Sequence, residues 1–227
     1  MKKIILSLMV LTLLFTGCSN NSSENNFTYI PEKINAEGTS IEDSSVTTQN
    51  IDNYLFRDDV IYVDLRPYAE IAREGHIAGF SFYPFYDLIA TKEGAIDQNK
   101  NPKDNRLFKM KNEAGKLGEV GNFIPTYEES EFILNDLFPK DKYIFAITIS
   151  CNESVYFLNL LKQYGYDASK LYNIGGFSIN TGFENKAYIN IDNPKYYVLG
   201  NPYIQTTGED ATFNFMKGLT PINYSKS

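Results

Sequence analysis

Tryptophan is missing from this chain of 227 residues, histidine occurs once, and cysteine occurs twice. That stock excludes a Cys/His zinc site built within one chain, and it excludes a disulfide framework. A single His also narrows the hydrolytic mechanisms that rely on an imidazole base. Positive charge is short as well: 21 Lys and Arg stand against 28 Asp and Glu, a net charge of -7. Nucleic-acid binding needs a basic footprint, so no nucleic-acid partner is expected. What the chain does have is aromatic material. With 16 Phe and 17 Tyr there is ample stock for a core, and a wholly disordered chain is excluded. The length suits one domain with additions rather than two full domains.

The one long apolar run lies at the start. Lys2 and Lys3 precede Ile4 to Phe15, a stretch of 12 almost wholly apolar residues. Spanning a bilayer takes about 20, so this run reads as the core of a signal peptide. Phe15-Thr16-Gly17-Cys18 closes it. Small residues before a Cys at this point resemble the lipobox of bacterial lipoproteins. The resemblance implies a signal peptide over residues 1–17, cleavage before Cys18, and a diacylglycerol on the Cys18 sulfur. The protein would then be held on the outer face of the cytoplasmic membrane of a bacterium by its lipid. An ordinary secretory peptide, or a short anchor that is not cleaved, is the plainer alternative. With Cys18 consumed, Cys151 has no partner for a disulfide within the chain.

Ser19 to Asn50 holds 16 Ser, Asn or Thr among 32 residues, and five acids against one Lys. So few large apolar groups cannot offset the entropy of ordering, and residues 18–45 are expected to be a flexible polar linker. A domain is expected from Val46 onward. Asn50 to Arg57 suits a short helix with Thr47 or Thr48 as N-cap. Val60 to Leu65 is apolar and β-branched, a buried strand. Ala69 to Arg73 suits a short helix closed by Gly75, and Phe80 to Phe85 a strand. Acids alternate with apolar residues from Glu128 to Phe138, an amphipathic helix stopped by Pro139. Tyr143 to Ile149 is apolar on both faces, as a central parallel strand would be. Glu153 to Tyr164 follows as a helix, with Ser150 or Asn152 as N-cap and Gly165 as C-cap. Leu171 to Ile174 is a further strand, leading into Gly175-Gly176.

Strands alternating with helices predict an α/β fold with a parallel sheet and helices on both faces. Ligands of such sheets bind at the carboxyl ends of the strands, where Ser150 to Ser154 falls. Residues 90–123 break the pattern with Gly, Asn and Lys, and read as an inserted surface excursion. Residues 183–227 form a C-terminal extension without a legible role.

Three segments together resemble the rhodanese-like domain. They are Asp64-Leu65-Arg66 with Glu70; Gly75-His76-Ile77-Ala78-Gly79 running on to Pro84; and Ile144 to Gly165-Tyr166 followed by Leu171 to Gly176. The resemblance covers residues 46–182, interrupted by the insertion. It implies an α/β domain with a central parallel sheet and, where activity is present, sulfur transfer. In the family a Cys after the central strand becomes a persulfide, cradled by backbone amides at the next helix N-terminus. The physics is general: such a terminus favours anions and lowers a thiol pKa. Asp64, Arg66 and His76 are expected to anchor loops rather than to react. Neither a metal nor a cofactor is expected.

The resemblance makes Cys151 the candidate nucleophile, with the amides of Asn152, Glu153 and Ser154 as the binding loop. Counting back from Leu160-Leu161 and Gly165-Tyr166 without gaps instead puts Thr148 at the nucleophile position and Glu153 where the family carries Arg. Both alignments stay open. From Tyr143 to Leu161 there is no Lys or Arg, so a sulfur-donor anion would meet the helix terminus alone. Phosphatase chemistry is excluded, because the residue six places after Cys151 is Phe157 and not Arg. Two functions compete: a lipid-anchored sulfurtransferase or persulfide carrier using Cys151, and a degenerate rhodanese-like domain that binds a protein partner. A redox-sensing thiol is a third.

Overall fold

In a computed structural model, residues 28–90, 106–149, 152–177, 196–201, 203 and 218–224 are described. Both cysteines lie outside them. Four strands form the main sheet, all parallel: Val60–Asp64 (β1), Ser81–Phe82 (β3), Tyr143–Thr148 (β7) and Leu171–Gly176 (β8), in the order β3-β1-β7-β8. The expected central strand is thus central, paired with β1 and β8. Its alternation decides the packing, because successive side chains leave a strand on opposite faces. Ile144 and Ala146 join one apolar cluster, with Val63, Leu65 and Leu171. Phe145 and Ile147 join the other, with Val60, Tyr62, Tyr172 and Ile174.

The two faces are covered differently. On the first lie Phe85–Leu88 (α2), Ser130–Leu137 (α3) and Asn152–Gln163 (α4). The last presents Phe157, Leu158, Leu160 and Leu161, a stripe of helical spacing, all fully buried. It ends at Gly165, whose φ of 80° lets the Tyr166 amide donate back to Leu161. A small second sheet packs on the same face: Ile89–Ala90 (β4), Phe108–Met110 (β5) and Phe123–Pro125 (β6). Residues 90–123 were expected to be a surface excursion. Where described, residues 106–123 instead supply Leu107, Phe108, Met110 and Phe123 to the core, each at most 2% exposed.

The second face corrects the expected linker more sharply. Among the described residues, none of its apolar cluster comes from an α-helix. Residues 28–56 lie across it, with one-turn 3-10 helices at Ile41–Asp43 and Ile51–Tyr54, and they bury Ile30, Val46, Ile51, Tyr54 and Leu55. Polar bonds do what apolar side chains could not. The Thr48 amide donates to the Ile174 carbonyl, the Tyr172 hydroxyl to Pro31, and Asn173 Nδ2 to Thr39, so the outer edge of β8 is closed. Lys33 is buried. Its ammonium donates to the carbonyls of Ala36, Gly38 and Ala168. Burial is the chief cause that pushes this ammonium down to about 8, against the pull of Asp43. Of the predicted linker only residues 18–27 lie outside the description.

Shorter elements complete the frame. Tyr68–Glu74 (α1) follows β1 and leads through Gly75 into His76–Ile77 (β2), which pairs antiparallel with Tyr197–Val198 (β9). A Cβ on Gly75 would sit 2.2 Å from the Val198 carbonyl oxygen, so only glycine permits this contact. The extension also returns near its end: Ile222 donates to Thr126, and Glu128 to Thr220. Phe80 to Phe85 yields only a two-residue strand before α2.

Replacing Lys33 by Met should leave three carbonyls without their donor, a cost of about 1–3 kcal/mol each if water does not replace it. The expected outcome is a lowered Tm together with new protease cleavage within residues 28–45, read by mass spectrometry of the fragments.

Candidate functional site

Because β1, β7 and β8 run parallel, their carboxyl ends open on one side, and the loops there must be held. Asp64, the last residue of β1, does this with Arg66. The guanidinium meets the carboxylate at 2.7 Å through Nη2 and at 3.0 Å through Nε. Nη2 also donates to the Gly75 carbonyl, and the Phe177 ring lies 3.9 Å from the guanidinium carbon. Arg66 is fully buried. Its Nη1 has no hydrogen-bond acceptor and approaches Glu74 Oε2 only to 3.7 Å. Asp64 and Arg66 therefore anchor loops, as the sequence suggested.

The mouth is closed from the β8 side. The Phe177 amide donates to the Thr148 carbonyl, and the Leu65 amide to Ile147. A Cβ on Gly176 would lie 2.5 Å from the Ile149 carbonyl oxygen, so this glycine is required by close approach. Thr148 ends β7 with its side chain buried, its hydroxyl 3.5 Å from Glu153 Oε2.

Cys151 and Ser150 lie outside the described residues. Asn152, Glu153 and Ser154 form the first turn of α4. Asn152 is exposed and Glu153 half-buried. Ser154 is fully buried, its hydroxyl without a partner. The structure thus brings Thr148 and Glu153 together at the first turn of α4, where a carboxylate suits the helix dipole.

Two residues at this mouth escaped the sequence reading. Tyr86, on α2, is 50% exposed. Tyr156, on α4, shares the Phe85 ring with it, at centroid separations of 6.3 Å and 5.1 Å respectively. Burial raises the Tyr86 pKa above the usual phenol value, and Glu153 and Tyr156 add to the rise. Only the helical character of Phe85–Leu88, unsignalled in the sequence, could have found Tyr86.

His76 is elsewhere. It lies half-buried on β2, its Nδ1 3.1 Å from the Ile77 carbonyl oxygen and its ring edge-on to Phe82. It lines an open, mostly apolar cavity of about 360 Å³ between α1 and β9, with Tyr68, Ile71 and Leu199. Among the described residues, no group of three His, Cys, Asp or Glu could hold a metal ion.

Truncating Arg66 to Ala should strand the Asp64 carboxylate in the interior, destabilising the fold by about 3–5 kcal/mol. Urea unfolding should read this, with Asp64→Asn recovering part of the loss in the double variant. No family model, curated protein or solved structure matches the chain.

Proposed function

We propose that this chain is a rhodanese-like domain, held by a lipid on Cys18 at the outer face of a bacterial cytoplasmic membrane, that binds a protein partner and has lost sulfur transfer. The fold supports the family reading. Asp64 and Arg66 sit at the end of a parallel strand, a helix follows the central strand, and Gly175-Gly176 ends the neighbouring one.

One observation carries the loss of chemistry: the Glu153 carboxylate occupies the first turn of α4, hydrogen-bonded by Thr148. An exposed helix terminus favours an anion by about 0.3–1 kcal/mol. A carboxylate about 4 Å from a bound unit charge opposes it by on the order of 4 kcal/mol near a protein surface. The repulsion wins, and a dianion such as thiosulfate fares worse than a monoanion. In general a carboxylate close to a thiol raises its pKa and reduces its thiolate fraction.

A second reading, sulfur transfer or persulfide carriage through Cys151, is favoured by one feature. Helix α4 begins at Asn152, the residue after Cys151, just past the central strand. Incubating the purified protein with thiosulfate or a polysulfide and weighing it separates the two. No added sulfur is expected. A gain of one sulfur on the wild type that Cys151→Ser abolishes overturns the binding-module reading. For the anchor, among the described residues no helix is long and apolar enough to cross a membrane. Cys18→Ala should move the protein from the membrane to the soluble fraction, and unchanged retention overturns the lipid attachment.

A further inference from the structure

The amino end of the main sheet, opposite the mouth, carries two exposed aromatic residues that no motif above accounts for. Phe56 follows the buried Tyr54 and Leu55, yet its own ring is 55% exposed. Its φ is 60°, in the left-handed region that a bulky L side chain enters only at a steric cost. The turn is fixed on both sides of it. The Tyr62 hydroxyl accepts from the Arg57 amide and donates to the Tyr54 carbonyl, and Arg57 donates to the two Asp59 oxygens at 2.8 and 2.7 Å. A Cβ on Gly79 would come within 3.2 Å of Phe56 Cε1, so glycine leaves the ring its place. The same Arg57 joins the second aromatic residue to the first. Its Nη1 donates to the Thr28 carbonyl at 2.7 Å, which puts Tyr29, 75% exposed, beside the turn. The Asp59 carbonyl accepts from the Tyr143 amide, so this face lies where β1 and β7 begin.

We infer that Tyr29 and Phe56 rest in the headgroup layer of the bilayer, so that the mouth at the carboxyl ends of the strands faces away from the membrane. This rests on the lipid attachment at Cys18 and adds the orientation that the attachment imposes. The length of the tether carries the argument. Cys18 stands ten residues before Thr28, and a chain of that length spans at most about 36 Å when fully extended. A domain of this size is about 40 Å across. The tether is therefore shorter than the path that would bring the mouth to the lipid. Arg57 pins Thr28 at the amino end of the sheet, and that end stays beside the bilayer. Tyrosine is enriched at the boundary between headgroups and acyl chains, and a Phe ring gains by leaving water. Charge does not oppose the contact. In the loops leading into the four strands, Arg57, Lys140, Lys142 and Lys170 match Asp58, Asp59, Asp141 and Asp167 in number, whereas the whole chain carries -7. An anionic leaflet repels this end less than it repels the rest.

Because the chain has no tryptophan, Phe56→Trp and Tyr29→Trp each install a single fluorescent reporter on this face. Phe132→Trp is the control. Phe132 is 73% exposed on the first turn of α3, on the face of the sheet away from residues 28–56. The full chain, isolated from membranes of the producing bacterium, is reconstituted into vesicles of phosphatidylethanolamine and phosphatidylglycerol, with and without brominated acyl chains. Phe56→Trp and Tyr29→Trp should shift their emission to shorter wavelength and lose intensity to the bromines. Phe132→Trp should emit as in water and keep its intensity. Unfolding curves show which variants keep the wild-type fold, and two reporters keep the test usable if one does not. A folded reporter that floats with the vesicles yet emits as in water keeps the lipid attachment and overturns the inference. Equal quenching of Phe132→Trp overturns it too, since the domain would then lie on the membrane in no fixed orientation. If the wild-type chain itself does not float, the lipid attachment fails first and the inference falls with it.

Discussion

A strand that is apolar on both faces must be covered on both faces, and β7 imposes that demand on the whole chain. Ile144 and Ala146 point one way, Phe145 and Ile147 the other, and none is more than 1% exposed. Fully burying a large apolar side chain is worth about 1.5–3 kcal/mol, so an uncovered face would forfeit most of the margin by which a small domain is stable. The long helices and the small sheet satisfy one side. The other is met by the stretch before β1, which has little apolar material of its own. It places Ile30, Val46 and Ile51 where they count, and it secures the backbone between them with Lys33, Thr39 and Thr48.

The same parallel arrangement makes the mouth. With β1, β7 and β8 ending on one side, three loops and a helix terminus meet there, and the buried Asp64–Arg66 pair holds two of them against Phe177. That pair consumes the cation that an anion site would need. Glu153 then sets the sign of what remains. On the proposed reading, the Glu153 carboxylate in the first turn of α4 opposes a small sulfur oxyanion there. The aromatic brace of Phe85, Tyr86 and Tyr156 adds surface of a kind that protein interfaces use heavily.

Elements with a strong local signal were legible. The helix ending at Gly165 has four apolar residues at helical spacing and a glycine that accepts positive φ. The helix before Pro139 and the strands from Val60, Tyr143 and Leu171 carry equally local patterns. Residues 28–45 were not legible, because their order comes from bonds to α4, to β8 and to the turn between them, more than a hundred residues away, as in Thr39 to Asn159 and Lys33 to Ala168. The strands at Phe108 and Phe123 were hidden for a related reason: each is three residues long and exists by pairing with the other. Of the site, Glu153 and Thr148 could be found by counting. Tyr86 could not, since its helix is a single turn with no periodic pattern.

Local pattern determined the strands and long helices, and composition determined the sign of the charge. Those properties depend on residues within a turn or two of one another, or on counts. Tertiary structure decided which polar stretch became the second cover of the sheet, which arginine was buried, and which hydroxyl met Glu153 at the helix terminus. Each of those outcomes depends on the desolvation and pairing of groups that the chain brings together only when the sheet closes.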